Sequence, residues 1–244
     1  MKKSIAFIAI VSVFLNCSNN GVSSSTSSLD NGLIGYYPFN GNAKNLSGQG
    51  NNGTIYGATP TADRFGNPAC AFRFNGIDNY ITFSWGWLFP DIEGFTVSAW
   101  VYAEDTTRGM ALYTGAGMGE CQISVDERGL LFAVKLIDDT SKYSNGWFTA
   151  ITPLISGRFV HVAGVYRRGH SIQLRIDGAL AQEISIPEND LFHGLPEYAP
   201  AIGSYSPNHF YKFRGMWLGV IDDVRIYGRA LTETEIQNLH ATEK

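Results

Sequence analysis

The sequence predicts an all-β fold in which two antiparallel sheets pack as a sandwich or jelly roll, with one short C-terminal helix. Apolar and polar residues alternate with a period of two along many short segments, which is typical of half-buried strands. Those segments are separated by Gly, Asn and Pro, and the chain contains 27 glycines. No part of the sequence shows the strand–helix alternation of parallel α/β folds. An antiparallel sandwich is therefore favoured.

Strands are predicted wherever this alternation is regular. In residues 97–102, 160–165 and 172–176, apolar residues occupy every second position. Asp177 and Gly178 follow the last of these strands and predict a two-residue hairpin, because glycine readily adopts the positive φ that such a turn needs. Further strands are predicted at residues 34–39, 70–74, 80–83, 111–114, 121–125, 130–134, 180–186 and 220–227.

One helix is predicted, from Thr232 to about residue 240. Thr232 and Glu235 have the spacing of a capping box, in which each side chain accepts a hydrogen bond from the backbone N–H of the other residue. Leu231 and Ile236 flank this box in the positions of a hydrophobic staple. The helix is therefore expected to form a small lid that closes the sandwich.

Both ends of the domain and three internal blocks carry a family resemblance. The ends are GLIGYYPFNGNAKNLSGQGNNGT at residues 32–54 and GVIDDVRIYGRALTETEIQNL at residues 219–239. Between them come ADRFGNPACAFRFNGIDNYITF (62–83), GFTVSAWVY (94–102) and GRFVHVAGVYRRG (157–169). In this order the blocks resemble the LamG-like jellyroll family, which comprises laminin-G-like and concanavalin A-like lectin and glucanase sandwiches. The resemblance implies two antiparallel sheets and a fold used mainly for binding.

The N-terminus predicts export and a lipid anchor. Lys2 and Lys3 precede an apolar run at residues 5–15, which is too short to span a bilayer but has the length of a signal-peptide core. Cys17 follows, and this arrangement resembles a bacterial lipoprotein of the outer membrane or cell surface, with Cys17 lipidated; plain secretion is the alternative. The anchor would be the only contact with the membrane.

Three regions follow from this leader. Residues 1–17 are predicted to be the signal peptide, and residues 18–31 a flexible linker rich in Ser and Asn. Residues 32–242 are predicted to form the jellyroll domain.

Catalytic motifs are missing from the sequence. Glucanases that share this sandwich carry several carboxylates on one strand. The nearest pair here is Asp91 and Glu93, which lie between Pro90 and Gly94 in a predicted loop. There is no Gly-x-Ser-x-Gly nucleophile elbow, and the five histidines lack metal-ligand spacing. The formal net charge is −4 without a run of Lys or Arg, so no nucleic-acid partner is predicted.

Cys70 and Cys121 remain once Cys17 is assigned to the anchor. In an oxidising envelope they would form one disulfide. Cys70 shares a predicted strand face with Phe72, and Cys121 shares one with Ile123, so both sulfur atoms are expected to point into the interior. A disulfide requires Cα atoms within about 7 Å of each other. Two buried free thiols are the alternative.

Clustered aromatic residues are the candidate ligand contacts. Trp85, Trp87 and Phe89 lie in a predicted loop, and Tyr211 lies in a second aromatic cluster near the C-terminus. Aromatic rings stack on sugar faces and also anchor protein interfaces. The alternative is that these side chains plug the edges of the sandwich.

Asp222 is the candidate ligand of a structural Ca²⁺ ion. It shares a predicted strand face with apolar residues that include Val220 and Val224, which indicates that this face is buried. A buried carboxylate must be paired, hydrogen-bonded or bound to a metal. The family resemblance implies one Ca²⁺ where the first and last strands meet, and Asn40 and Asn42 would add oxygen ligands there. The alternative is that Asp222 accepts backbone N–H bonds from that loop.

The predicted function is that of a non-catalytic extracytoplasmic binding module whose partner is a glycan or a cell-surface protein. A second hypothesis is a structural or protein-interaction subunit of a surface assembly without affinity for sugars. A third is a glycoside hydrolase, which the missing carboxylate motif disfavours.

Overall fold

The structure, a computed structural model, describes residues 29–83, 93–115, 121–138, 144–154, 156–188, 190–192, 200–205 and 215–242. Within these residues it has one helix, α1 (Glu233–Thr242), and a series of short strands. In chain order the strands are β1 (Leu33–Tyr37), β2 (Thr54–Tyr56), β3 (Thr59–Thr61), β4 (Ala71–Asn75), β5 (Tyr80–Thr82), β6 (Gly94–Ala103), β7 (Met110–Gly115), β8 (Cys121–Asp126), β9 (Gly129–Asp138), β10 (Ser144–Thr152), β11 (Phe159–Arg167), β12 (Ser171–Ile176), β13 (Ala179–Ser185), β14 (Asp190–Phe192), β15 (Ala201–Ile202) and β16 (Leu218–Tyr227).

The strands form two antiparallel sheets, which confirms the predicted fold class. In sheet A the order is β13–β12–β11–β6–β16–β4–β3, and β1 also pairs with β16. In sheet B the order is β10–β9–β8–β7–β15–β5–β2, and β14 also pairs with β9. Strands far apart in sequence are neighbours in both sheets, so the connections cross from one sheet to the other, as in a jelly roll.

The main core lies between the two sheets. Val97 and Ala99 of β6 point into it from sheet A, and Phe132 and Val134 of β9 meet them from sheet B. Trp217 is completely buried in the same core. It belongs to the C-terminal aromatic cluster by sequence, but the structure makes it a packing residue.

Strand β16 contains a bulge that changes which side chains face the core. Its pairing with β6 shifts between Asp222 and Arg225, and Asp223 has a φ of 45°. Because of this bulge, Ile221 and Val224 both lie in the core, whereas Asp222 points to the outer face of sheet A. The prediction that Asp222 shares a buried face with Val224 was therefore wrong, since regular alternation does not continue through a bulge.

Two local predictions are confirmed. Asp177 and Gly178, with φ values of 50° and 80°, join β12 to β13 as a two-residue turn. At the start of α1, Glu235 Oε2 accepts a 2.8 Å bond from the backbone N–H of Thr232, and Thr232 Oγ1 accepts one of 3.3 Å from Glu235. The capping box therefore forms as predicted.

Helix α1 packs on the outer face of sheet A. Leu231, Ile236 and Leu239 form a second apolar cluster there with Ala163 and Val165 of β11. The outer face of this sheet is consequently covered at β11. No helix within the described ranges is long and apolar enough to cross a membrane.

Five strands were missed by the sequence prediction. Four of them, β2, β3, β14 and β15, have only two or three residues, too few for an alternating pattern to show. The fifth, β10, has nine residues and forms an edge of sheet B.

Gly164→Ala is expected to destabilise the protein, because the added methyl group would overlap the Phe132 ring across the core. Overpacking of this kind costs about 1–3 kcal/mol of the free energy of unfolding. Gly109→Ala is the matched control, since no described atom lies within 4 Å of its added Cβ. That variant should change the free energy by less than about 1 kcal/mol. Urea denaturation measures both, and equal losses would contradict the packing argument.

Candidate functional site

The outer face of sheet B carries an exposed tryptophan at the edge formed by β9 and β10. Trp147 of β10 pairs directly with Lys135 of β9, and the next pair is Phe148 with Val134. Phe148 and Val134 pack in the core. Because neighbouring strand residues point to opposite faces, Lys135 and Trp147 project outwards.

Polar side chains accompany this ring on the same face. Thr149 lies two residues along β10 from Trp147; it pairs with Ala133, which in turn pairs with Gln122 of β8. We call Gln122, Lys135, Trp147 and Thr149 the Trp147 surface. Ala133, which lies between them, is itself buried, so the accessible part of the surface is the Trp147 ring with the flanking amide, hydroxyl and ammonium groups.

The exposure of Trp147 distinguishes it from the other described tryptophans. Its side chain is 45% exposed, whereas Trp100 and Trp217 are 6% and 0% exposed. A large exposed ring bordered by polar groups is a typical anchor for a ligand. The sequence analysis did not select Trp147, although Trp147 and Thr149 alternate with the apolar Phe148 and Ala150 in a way that could have revealed both the strand and its outward face.

A second exposed aromatic pair lies at the opposite edge of sheet B. Tyr56 of β2 pairs with Tyr80 of β5, and their rings stack with centroids 4.6 Å apart. Tyr56 is 46% exposed. Burial raises the pKa of Tyr80, and the neighbouring Tyr56 raises it further, so its hydroxyl group stays protonated. One face of each ring is already used in this stack.

An open depression of about 510 Å³ lies where β11 turns into β12, lined by Glu93, Arg168, Gly169, His170 and Glu188. Glu93 is 88% exposed and lies 3.4 Å from Arg168 in an ion pair. A general acid for glycoside hydrolysis needs an environment shielded from water. Glu93 has no such shielding, and the other member of the candidate pair, Asp91, lies outside the described residues.

A buried ionic cluster occupies the outer face of sheet A. Arg64 Nη1 lies 2.7 Å from Asp222 Oδ2 and 2.8 Å from Asp223 Oδ2. The guanidinium group also lies over the rings of Phe65 and Trp100, at 4.5 and 4.7 Å from their centroids. Burial raises the pKa of Asp222, and the Asp223 carboxylate raises it further, while Arg64 opposes both effects.

The residues predicted to bind Ca²⁺ do not fit that ion. Asp222 Oδ2 is bound by Arg64, and Oδ1 accepts a 2.8 Å bond from the backbone N–H of Asp223. Asn42 donates to the carbonyl of Asn40 at 2.8 Å and accepts from the backbone of Lys44. A guanidinium group at the carboxylate repels a divalent cation. Nor do the described ranges contain a group of three His, Cys, Asp or Glu side chains that could hold a metal ion.

Arg64 therefore supplies the counter-charge of the Asp222 carboxylate. The alternative prediction, in which the loop around Asn40 donates backbone N–H bonds to Asp222, is also incorrect, because the donor is the adjacent Asp223. No sequence pattern indicates Arg64 as the partner, because it lies 158 residues away in the chain.

His161 is a structural residue of this region. It is completely buried, and its ring lies 5.4 Å from that of Trp100 and 5.9 Å from that of His240. Burial lowers the pKa of His161 to about 3, and His240 lowers it as well, so the ring is neutral at physiological pH.

Cys121 is a free thiol that is completely buried. The predicted disulfide between Cys70 and Cys121 is therefore not formed. The inward direction predicted for Cys121 is correct, since it lies in the main core with Ile123. Burial raises the pKa of the Cys121 thiol well above its usual value, which keeps it protonated and unreactive.

The other predicted site residues lie outside the described ranges. These are the lipidation candidate and the four aromatic candidates, namely Cys17, Trp85, Trp87, Phe89 and Tyr211. The exposed aromatic side chains that the structure does describe, Trp147, Tyr56 and Phe65, were not among the candidates.

Two packed antiparallel sheets in this order define a jellyroll sandwich, and Trp147 is an exposed ring on the outer face of its sheet B. The chain belongs to the family described as the concanavalin A-like lectin/glucanases superfamily, because the Laminin_G_3 family model matches residues 75–237. This confirms the resemblance found in the sequence. No curated protein sequence matches the chain.

Several solved structures share the fold. Domain 4 of AbnA, a GH43 extracellular arabinanase from Geobacillus stearothermophilus solved with arabinotriose, superposes with a TM-score of 0.64 at 21% identity, over 85% of this chain and 98% of that one. The botulinum neurotoxin serotype D ligand-binding domain, solved with N-acetylneuraminic acid, gives 0.68 at 13% identity, over 89% of this chain and 52% of that one. This chain thus spans about half of the neurotoxin domain. At these identities the likeness establishes the fold alone.

Arg64→Met is expected to lower the free energy of unfolding by about 3–5 kcal/mol, because it leaves the buried Asp222 carboxylate without the Arg64 counter-charge. Arg73→Met is the matched control, since Arg73 is paired with Glu104 but is 49% exposed. Its loss should cost less than about 1 kcal/mol. Chemical denaturation at neutral pH compares the two. A cost for Arg64→Met as small as that of the control would show that the cluster is not needed for stability.

Proposed function

We propose that this protein is a non-catalytic extracytoplasmic module that binds glycans on the Trp147 surface. The observation that carries the proposal is the 45% exposed Trp147 side chain on the outer face of sheet B, beside Lys135 and Thr149. A sugar ring has an apolar face of C–H groups and a rim of hydroxyl groups. Trp147 offers the stacking partner for that face, and the neighbouring polar side chains offer hydrogen bonds to the rim.

The sheet supports binding because it fixes the ring in advance. Trp147 stands on a strand that is hydrogen-bonded to β9 along nearly its whole length, from Ser144 to Thr152. A side chain on a rigid strand loses less conformational freedom on binding than one on a loop. The two solved structures described above add support, since their own ligands, arabinotriose and N-acetylneuraminic acid, are sugars.

The absence of catalysis is part of the proposal. Glycoside hydrolysis requires two carboxylates that flank the scissile bond, one of them shielded enough to remain protonated. The only carboxylates of the described depression belong to Glu93 and Glu188, and Glu93 is 88% exposed. Neither lies on the Trp147 surface.

Trp147→Ala is expected to weaken glycan binding by about tenfold to a hundredfold, which corresponds to the loss of roughly 1.4–3 kcal/mol of stacking. The purified protein would be applied to a glycan array, and the affinity for the glycans bound would be measured by titration. Tyr56→Ala is the matched control, because Tyr56 is 46% exposed at the other edge of the same sheet. It should leave the affinity unchanged.

The array also separates this function from its alternatives. Failure of the wild-type protein to bind any glycan would contradict the proposal and favour a protein-interaction subunit of a surface assembly. Loss of binding in Tyr56→Ala but not in Trp147→Ala would retain a glycan-binding function and move its site to the tyrosine pair. Release of reducing sugar from any polysaccharide would contradict the non-catalytic assignment.

We further propose that the module is held at the bacterial cell envelope by a lipid on Cys17. The proposal rests on the leader sequence, in which two lysines and an apolar run precede Cys17 and a polar linker follows it. A single acyl chain binds membranes only marginally, whereas two or more anchor a protein stably.

Cys17→Ser is therefore expected to move the protein from the detergent phase to the aqueous phase in a phase-partition experiment on whole cells. Ser18→Ala, which changes the next residue and keeps the cysteine, should leave the protein in the detergent phase. Detergent partitioning that is the same for wild type and Cys17→Ser would refute the anchor, as would a mature N-terminus mapped to another residue.

A further inference from the structure

We infer that the glycan bound on the Trp147 surface is acidic, carrying a carboxylate or sulfate group that pairs with Lys135. The inference rests on the proposed function and specifies the class of its ligand. It starts from Lys135, which lies directly opposite Trp147 in the β9–β10 ladder and projects from the same face.

The ammonium group of Lys135 has no counter-charge in the described part of the chain. No carboxylate there lies within 4.0 Å of it, and no hydrogen bond joins it to a described residue. The arginines of the same ranges behave differently, because most of them pair with a carboxylate: Arg64, Arg73, Arg128, Arg158, Arg168, Arg175 and Arg229. Lys44, the other lysine of these ranges, also has no carboxylate partner, so what distinguishes Lys135 is its position directly opposite an exposed tryptophan ring.

The register brings the cation within reach of a sugar stacked on Trp147. Residues directly opposite each other in an antiparallel pair have Cβ atoms about 4.5–5.5 Å apart. The flexible four-carbon stem of Lys135 can therefore place its ammonium group at the margin of a sugar ring that covers the indole. A carboxylate or sulfate on that margin would form a charge-assisted hydrogen bond with Lys135, which a neutral hydroxyl group matches only weakly.

Because the protein carries a net negative charge, it does not attract anions in general. A preference for an acidic glycan would therefore come from the contact between one anionic group and Lys135. Long-range repulsion is screened beyond about 8–10 Å at physiological salt. A contact between Lys135 and one anionic group is shorter than that distance. The preference for an acidic ligand is therefore expected to depend on Lys135 itself and to weaken as salt is added.

The test measures the affinity of the whole purified protein for pairs of glycans that differ in charge alone. Oligogalacturonate is compared with its methyl ester, sialyllactose with lactose, and dextran sulfate with dextran. Wild type is expected to bind the acidic member of at least one pair about five- to tenfold more tightly. The first two pairs report a carboxylate and the third reports a sulfate, so the result also identifies the anionic group.

Lys135→Gln is expected to bind both members of that pair with the affinity that wild type shows for the neutral one. Trp147→Ala should lose affinity for both members. Lys44→Gln, which removes an exposed lysine elsewhere, should keep the wild-type preference. Urea denaturation of each variant confirms that the fold is intact.

The inference is overturned when wild type binds both members of every pair equally, or when Lys135→Gln keeps the preference for the acidic member. In those cases glycan binding itself still stands. Wild type that binds no member of any pair, but binds neutral glycans on the array, also overturns the acidic ligand and leaves the proposed function in place. Wild type that binds no glycan at all overturns both.

Discussion

The position of β16 in the middle of sheet A is the constraint on which the rest of the structure depends. This last strand pairs with β6 on one side and with β4 on the other, and β1 pairs with its final residues. Sheet A is therefore incomplete until the end of the chain has been inserted between strands from its first half. The bulge at Asp222 and Asp223 occurs in this strand, so the same segment that completes the sheet also brings two carboxylates to its outer face.

Those two carboxylates determine how sheet A is covered. Asp222 is 2% exposed and Asp223 14% exposed, and carboxylates so shielded are stable only when they are paired and hydrogen-bonded. Arg64 supplies the counter-charge, and Phe65 and Trp100 flank its guanidinium group. Helix α1 covers the adjacent part of the same face. Of the exposed rings in the described chain, Phe65 lies beside the Arg64 cluster, whereas Trp147 and Tyr56 stand on strands of sheet B.

Local signals in the sequence predicted the fold well. The Asp177–Gly178 turn, the capping box at Thr232 and the long alternating strands other than β10 each depend on residues close together in the chain, and they were found where expected. The site was predicted poorly because its features are not local. The bulge interrupts the alternation at Asp222, and its partner Arg64 lies 158 residues earlier in the chain. Trp147 was missed together with β10, although its alternation was present in the sequence.

The exposure of Trp147 is informative because Trp100, another tryptophan on a strand, is covered. Both are on outer faces of strands in the same sandwich. Trp100 is 6% exposed, because Arg64 lies over its ring and His240 stacks at 5.5 Å. This chain therefore has the means to cover a ring on an outer face, yet Trp147 is 45% exposed.

An exposed ring on an edge strand is a liability. Edge strands invite association with other chains, and apolar side chains increase that risk. Part of the edge of β10 is protected, since the side chain of Gln182 accepts a hydrogen bond from the backbone N–H of Ile151. Lys135 places a charge beside the ring, which further opposes association. The backbone of β10 and the surroundings of Trp147 are thus protected, whereas the ring itself is exposed. This is the pattern expected of a surface that must stay accessible to a ligand.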